Sequence, residues 1–233
     1  MPTGCLYGLG LGPGDPELVT LKALRLLRAA PVVAYPAPED GDSFARHIVA
    51  EWLDRGQREI AIRFPMRPGP LPAAIYEAAA AQLAAVMDAG DDIAYLCQGD
   101  PLFYGSFAGI LTRLAARYTV TVVPGVSSLT ACAAVASTPL VQRDEILSVI
   151  PASLPEDQLA ARLTQVESAA IIKLGRYFAK VRRILARLGM LEGALYVERA
   201  SLPNQRVFAL ATVDPASVPY FATALVRCRD RGE

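Results

Sequence analysis

Apolar residues in the first half of the chain fall in short dense runs. Between these runs they recur every three or four positions. The runs at 5–11, 31–35, 59–64, 92–97 and 120–123 read as strands. The segments 21–28, 43–53, 73–89 and 107–117 have helical spacing. In the first of them Leu21, Leu24, Leu27 and Arg28 fall on neighbouring turns, and Thr20 is the predicted N-cap. Gly90 is placed to close the alanine-rich helix at 73–89. Strands that alternate with helices predict a mostly parallel sheet covered on both faces.

The rhythm changes after Pro124-Gly125. The small, apolar segment 126–136 predicts a buried helix. Strands follow at 146–150, 170–174, 194–198, 207–212 and 222–228. The last three are separated mainly by turn-like segments, which predicts a mixed or partly antiparallel sheet. One helix-spaced stretch places Phe178, Val181, Ile184, Leu185 and Leu188 on one stripe. Arg176, Lys180, Arg183 and Arg187 form the opposite stripe, which reads most simply as a solvated face. The expected fold is therefore two α/β domains. Residues 1–123 carry a glycine-rich loop and a mostly parallel sheet, and residues 124–233 carry the mixed sheet.

Composition narrows the class. Over 233 residues, 53% are hydrophobic and formal net charge is zero, which suits buried cores and argues against a nucleic-acid binder. No apolar run approaches the roughly 18–20 residues that span a bilayer. The N-terminus lacks a basic segment followed by an apolar one, so a cytoplasmic protein without membrane contact is expected. Residues 1–123 hold thirteen acids against ten bases and residues 124–233 the reverse, a weak hint that an anionic ligand leans on the second half. Cys5, Cys97, Cys132 and Cys228 form no CxxC pair, and buried reduced thiols are expected. A lone histidine, His47, gives no support to a metal site or a Ser-His-Asp triad and reads as a surface or packing residue.

Three loops carry candidate chemistry. The first, Tyr7-Gly8-Leu9-Gly10-Leu11-Gly12-Pro13-Gly14-Asp15-Pro16, follows the first strand. A dinucleotide fingerprint GxGxxG fails here in every register, because its third glycine falls on Pro13, Asp15 or Glu17. A Walker A loop fails because the chain has no Gly-Lys dipeptide. Pro13 stiffens the turn and removes an N–H, so the loop suits a ligand without phosphates, or plain packing. The second loop, Gln98-Gly99-Asp100-Pro101-Leu102-Phe103-Tyr104-Gly105-Ser106, follows the fourth strand. Asp100 is either a turn former or a partner for a ligand hydroxyl or cation. In the third, Val123-Pro124-Gly125-Val126-Ser127-Ser128, the hydroxyls are helix caps or ligand contacts. In parallel sheets ligands bind at the carboxyl ends of the strands, where all three loops should lie.

Together these loops resemble the tetrapyrrole methylase family, and the similarity runs along essentially the whole chain. It includes Gly12-Pro13-Gly14-Asp15-Pro16-Glu17-Leu18, Thr20-Leu21-Lys22-Ala23, Phe64-Pro65-Met66, and the second and third loops. Later it includes Lys173-Leu174-Gly175-Arg176, Tyr196-Val197-Glu198-Arg199-Ala200 and Pro219-Tyr220-Phe221. The Tyr-Gly-Ser and Val-Glu-Arg-Ala stretches point to the members that methylate the carbon-20 bridge of precorrin-2 in cobalamin biosynthesis. One departure is Gln98, which stands where the resemblance implies a glutamate and keeps its shape without its charge.

The resemblance implies a homodimer with S-adenosyl-L-methionine bound in a cleft between the two domains. S-adenosyl-L-homocysteine would be the product. Around this methyl donor it places Pro13, Gln98, Gly99, Asp100, Tyr104, Ser127 and Ser128, with Leu174, Ala200 and Ala224 from the second domain. Candidates for the group that accepts the substrate proton are Asp100, Tyr104 and Glu198. A tetrapyrrole bears many carboxylates, so arginines are its expected readers, with Arg176, Arg46, Arg143 and Arg199 beside the relevant motifs. The cobalt form of precorrin-2, another tetrapyrrole, or non-catalytic binding of donor or tetrapyrrole remain open alternatives.

Overall fold

A computed structural model describes residues 3–65 and 72–227. Met66 of the Phe-Pro-Met motif and Cys228 lie outside them. The chain divides into two compact units, Met1–Ser127 and Ser128–Glu233.

The first unit contains strands β1 (Leu6–Gly10), β2 (Val32–Pro38), β3 (Arg58–Phe64), β4 (Ile93–Cys97) and β5 (Val120–Val123). Its helices are α1 (Leu21–Ala29), α2 (Phe44–Ile48), α3 (Ala73–Asp88) and α4 (Phe107–Leu114). The sheet is parallel throughout, in the order β3-β2-β4-β1-β5. All five residues of central β4 are buried, as expected of a strand covered on both faces. On one face Leu9, Val33 and Leu96 pack against Leu27 of α1 and Ile48 of α2. On the other, Leu6, Ile93 and Tyr95 pack against Leu83 and Met87 of α3 and Phe107 and Ile110 of α4.

This order creates a switch point. The chain moves from β1 to β2 to β3 in one direction, then returns to β4 and crosses to β5. The connections after β1 and β4 therefore leave on opposite faces, and at such a switch point an open α/β sheet holds its ligand in a crevice at the carboxyl ends of the strands.

Local signals behave as their chemistry requires. Thr20 caps α1, its Oγ1 accepting from Ala23 N at 3.2 Å. Gly90 follows α3 with φ 93°, a left-handed conformation that glycine adopts without penalty. The helix expected at 43–53 is instead α2 followed by a 3-10 turn at Ala50–Trp52. Fully buried Val49 takes φ −110° between them, so core packing overrides the helical pattern there. The helix expected at 107–117 stops at Leu114. The hydroxyl of Tyr118 and the guanidinium of Arg117 both bond Asp88 at 2.9 Å, which draws the chain aside.

The second unit contains α5 (Ser128–Val135), β6 (Leu147–Pro151), α6 (Glu156–Leu163), β7 (Ser168–Ile172), α7 (Phe178–Arg187), β8 (Leu195–Glu198), β9 (Arg206–Ala209) and β10 (Ala222–Arg227). The sheet order is β6-β7-β10-β8-β9; β6 and β7 are parallel and the other pairs antiparallel. Phe178, Val181, Ile184 and Leu185 of α7 are buried, as their stripe predicts. Its basic stripe is partly engaged. Arg183 and Arg187 approach Glu156 of α6 at 2.7 and 3.6 Å, and Lys180 bonds the carbonyl of Leu154. Helix α5 is only partly buried, through Leu129, Ala131 and Cys132. The strand expected at 207–212 ends at Ala209, where a 3-10 turn lets Leu210 enter the core.

Among the described residues, no helix is long and apolar enough to cross a membrane, and no group of three His, Cys, Asp or Glu residues could hold a metal ion. Cys97 and Cys132 are buried thiols and Cys5 is partly buried. Burial raises the Cys132 thiol to about 11 and Cys97 well above the usual range, so both stay protonated near neutrality. His47 is exposed.

Candidate functional site

The three loops at the end of the first sheet are joined mainly through their backbones. Leu11 N donates to Cys97 O at 2.9 Å. Gly99 N donates to Gly12 O at 2.7 Å, and Gly12 N returns a bond to Gly99 O at 3.3 Å. This isolated bridge is antiparallel, although β1 and β4 are parallel. Both glycines make it with positive φ, 77° and 68°. Asp100 ties in the third loop. Its Oδ1 accepts from Leu102 N at 2.9 Å and its Oδ2 from Gly125 N at 3.1 Å.

Glycine is required where the loops touch. A Cβ on Gly10 would lie 2.4 Å from Gly125 N. One on Gly125 would lie 2.2 Å from Gly99 O and 2.8 Å from Gly10 Cα. The opposite holds at Gly99, where a Cβ would meet no heavy atom within 4 Å. The loops thus make a tight backbone junction with open space beside Gly99. The sequence reading included Gly99 and missed Gly10 and Gly125, although a glycine at each of three strand ends was a visible signal.

Around this junction Pro13 is buried, while Gln98 and Ser127 are partly buried. Ser128 is exposed and opens α5. Leu102, Phe103 and Tyr104 are exposed, and the two aromatic rings meet edge to face at 5.0 Å. Tyr104 has φ 55°, a left-handed backbone uncommon for a bulky residue and frequent at ligand sites.

In the second unit, Leu174, Ala200 and Ala224 are buried at one end of the sheet, where β7 and β8 finish and β10 begins. Leu174 N donates to Ala222 O at 3.4 Å and Arg199 N to Phe221 O at 2.9 Å. Lys173, Arg199 and Ser201 all have left-handed φ, between 50° and 70°. Glu198 is buried, accepts from the Tyr196 hydroxyl at 2.6 Å and pairs with Arg199 Nη1 at 3.1 Å. Arg206 Nε lies 3.7 Å from the same carboxylate.

The arginines expected to read carboxylates each have their own local surroundings. Arg46 bonds Glu59 through Nε and Nη2 at 2.6 and 2.8 Å. That fork holds the Glu59 carboxyl below its ordinary range. Arg143 is exposed with φ 48°. Arg176 is exposed, its guanidinium 5.7 Å from the centre of the Tyr177 ring. Arg199 is partly buried beside Glu198.

Comparison with known proteins agrees with this architecture. Residues 5–214 match the model of the Tetrapyrrole (Corrin/Porphyrin) Methylases. The chain is 45% identical to the cobalamin biosynthesis protein CobIJ of Mycobacterium tuberculosis, with 96% of the chain and 46% of that relative aligned. It therefore spans about half the length of that relative. It is 40% identical to the precorrin-2 C(20)-methyltransferase of a Sinorhizobium species, covering 96% of this chain and 95% of the relative. Identity to the cobalt-precorrin-2 C(20)-methyltransferase of Salmonella typhimurium is 35%, covering 96% of each. A crystal structure of uroporphyrin-III C-methyltransferase from Thermus thermophilus, complexed with S-adenyl homocysteine, superposes with a TM-score of 0.71. Its identity is 26%, over 96% of this chain and 97% of that one. A family match along nine-tenths of the sequence, joined to a parallel sheet with a glycine junction and a second mixed sheet, shows that this chain belongs to the tetrapyrrole methylase family.

Proposed function

We propose that the chain methylates the carbon-20 bridge of precorrin-2 to give precorrin-3A in cobalamin biosynthesis, with S-adenosyl-L-methionine as donor and S-adenosyl-L-homocysteine as product. The observation that carries this reading is the 40% identity, over nearly the full length of both chains, to a relative of that name. We further propose that the protein works as a homodimer in the cytoplasm.

The crevice of the first unit supports the reading. A Cβ at Gly99 would meet only open space, the loops around it are joined by main-chain groups and the carboxylate of Asp100, and no lysine stands in the three loops. That donor set suits a ligand with hydroxyl and amino groups and no phosphate. Pro13, Gln98, Gly99, Asp100, Tyr104, Ser127 and Ser128 are the proposed contacts, with Leu174, Ala200 and Ala224 offered by the second unit. When bound, the donor supplies an electrophilic methyl group on a cationic sulfur.

The acceptor is a carbon made nucleophilic by conjugated pyrrole nitrogens, so the chain need not supply a nucleophile. Its contribution is alignment, which is worth up to roughly 7–11 kcal/mol when reacting atoms are well oriented. A group must also accept a proton. Asp100 and Glu198 are both engaged as acceptors within the protein, and Tyr104 carries a half-exposed phenol. Single-turnover rates of D100N, Y104F and E198Q test the three; a rate near wild type removes that residue from the role.

The cobalt form of the substrate is the second reading, favoured by the Salmonella relative. The deciding assay offers S-adenosyl-L-methionine with precorrin-2, cobalt-precorrin-2 or uroporphyrinogen III and follows the gain of one methyl mass. Transfer to precorrin-2 or its cobalt form supports the proposal and chooses between the two. Transfer to uroporphyrinogen III alone would remove it.

A further inference from the structure

A cavity of about 270 Å³ lies on the α2 face of β2 and β3, towards their carboxyl ends. Tyr35, Asp42, Ser43, Arg46, His47 and Arg63 line it. Arg63 stands directly across from Ala37 in the register. Its Nη1 donates to Pro38 O at 2.8 Å and Gly41 O at 2.9 Å, which holds both the side chain and the loop after β2. Gly41 has φ 111°, so that loop is set by a backbone few other residues adopt. Nε and Nη2 of Arg63 are left over, and among the described residues Arg63 has no carboxylate partner. Arg46 differs, because its fork is closed on Glu59.

We propose that this cavity is a carboxylate subsite in which Arg63, with His47 beside it, holds an acidic side arm of a tetrapyrrole. Two guanidiniums are balanced locally by Asp42 and Glu59, so recognition rests on directed donors and not on net field. A guanidinium held in place by two carbonyls is already oriented and loses little freedom on binding. Along the same sheet edge the cavity is two strand spacings, about 10 Å, from the β1/β4 crevice. A macrocycle whose ring faces the crevice can therefore extend an arm into it. The choice of a tetrapyrrole arm rests on the function proposed above.

The test is fluorescence titration with uroporphyrin III, a stable polycarboxylate that needs no turnover. R63Q is expected to weaken binding at least tenfold, R63K about threefold and H47Q about threefold. R28Q removes the same charge from an exposed position on α1 and is expected to change affinity less than twofold. Circular dichroism and calorimetric titration with S-adenosyl-L-homocysteine check that each variant folds; if R63Q does not, R63K and H47Q decide by the same titration. Binding by R63Q, or by both R63K and H47Q, within twofold of wild type overturns the subsite, as does an equal loss in R28Q. Failure of wild-type protein to methylate precorrin-2 or its cobalt form would instead remove the proposed function and leave this titration standing.

Discussion

Replacing Gly125 with alanine tests the backbone junction directly. The added Cβ would lie 2.2 Å from Gly99 O and 2.8 Å from Gly10 Cα, whereas ordinary carbon contacts begin near about 3.4 Å. Backbone must move by roughly 1 Å, since no flexible side chain stands in the way. Overpacking of this kind costs about 1–3 kcal/mol. Movement of Gly125 also stretches its 3.1 Å bond to the Asp100 carboxylate, and a bond to a charged group contributes about 1.5–3 kcal/mol. The expected loss is about 3–5 kcal/mol, a large share of the roughly 5–15 kcal/mol that holds a typical domain folded. Urea unfolding followed by circular dichroism reads it. Gly99→Ala is the comparator, because its Cβ meets nothing but its φ of 68° is unfavourable for alanine. That variant should lose only about 1–2 kcal/mol. It should nonetheless weaken S-adenosyl-L-homocysteine binding about tenfold, because the methyl group enters the open space. A G125A protein within 1 kcal/mol of wild type, or less destabilised than G99A, would refute the steric reasoning.

Three further outcomes are expected. D100N keeps one acceptor oxygen where two backbone amides need one each, and should lose about 1.5–3 kcal/mol in the same unfolding assay together with methyl transfer. Y196F removes the 2.6 Å donor from buried Glu198 and should lose about 1.5–3 kcal/mol; a change below 0.5 kcal/mol would show that Arg199 and Arg206 suffice. Glu59 is held below its ordinary pKa chiefly by its bond to Arg46, so its contribution is complete above the unfolded value of about 4.3 and is lost as pH falls through the lower folded one. The stability gap between wild type and E59Q should thus be about 0.5–1 kcal/mol at neutral pH, hold to about pH 5 and shrink below about pH 4, and growth on acidification would contradict it.

The first sheet was legible because β1, β2, β4 and β5 are short apolar runs, β3 alternates apolar Ile60, Ile62 and Phe64 with other residues, and β4 is buried along its whole length. Helix α6 was not, because Glu156–Leu163 buries only Leu159 and Leu163 and leaves no extended stripe to read. The break inside 43–53 was hidden for a different reason, since packing of Val49 decides it and not propensity. Among the site residues, small-residue loops announced where a ligand would lie. They did not announce that residues 10, 99 and 125 touch through their backbones, because such contact has no side-chain period. Arg46 looked available beside its motif, but its partner Glu59 lies on the facing strand. Arg63 belongs to none of the motifs, and what distinguishes it is the loop it grips.

The bridge between Gly12 and Gly99 joins the loops after β1 and β4 just before their connections leave to opposite faces of the sheet. Neither loop can lift away without breaking the other's bonds, and Asp100 extends the same constraint to the loop after β5. The three turns therefore behave mechanically as a single latch. Loosening any one turn strains the bonds of its neighbours, while the exposed side chains of Leu102, Phe103 and Tyr104 lie outside this backbone network.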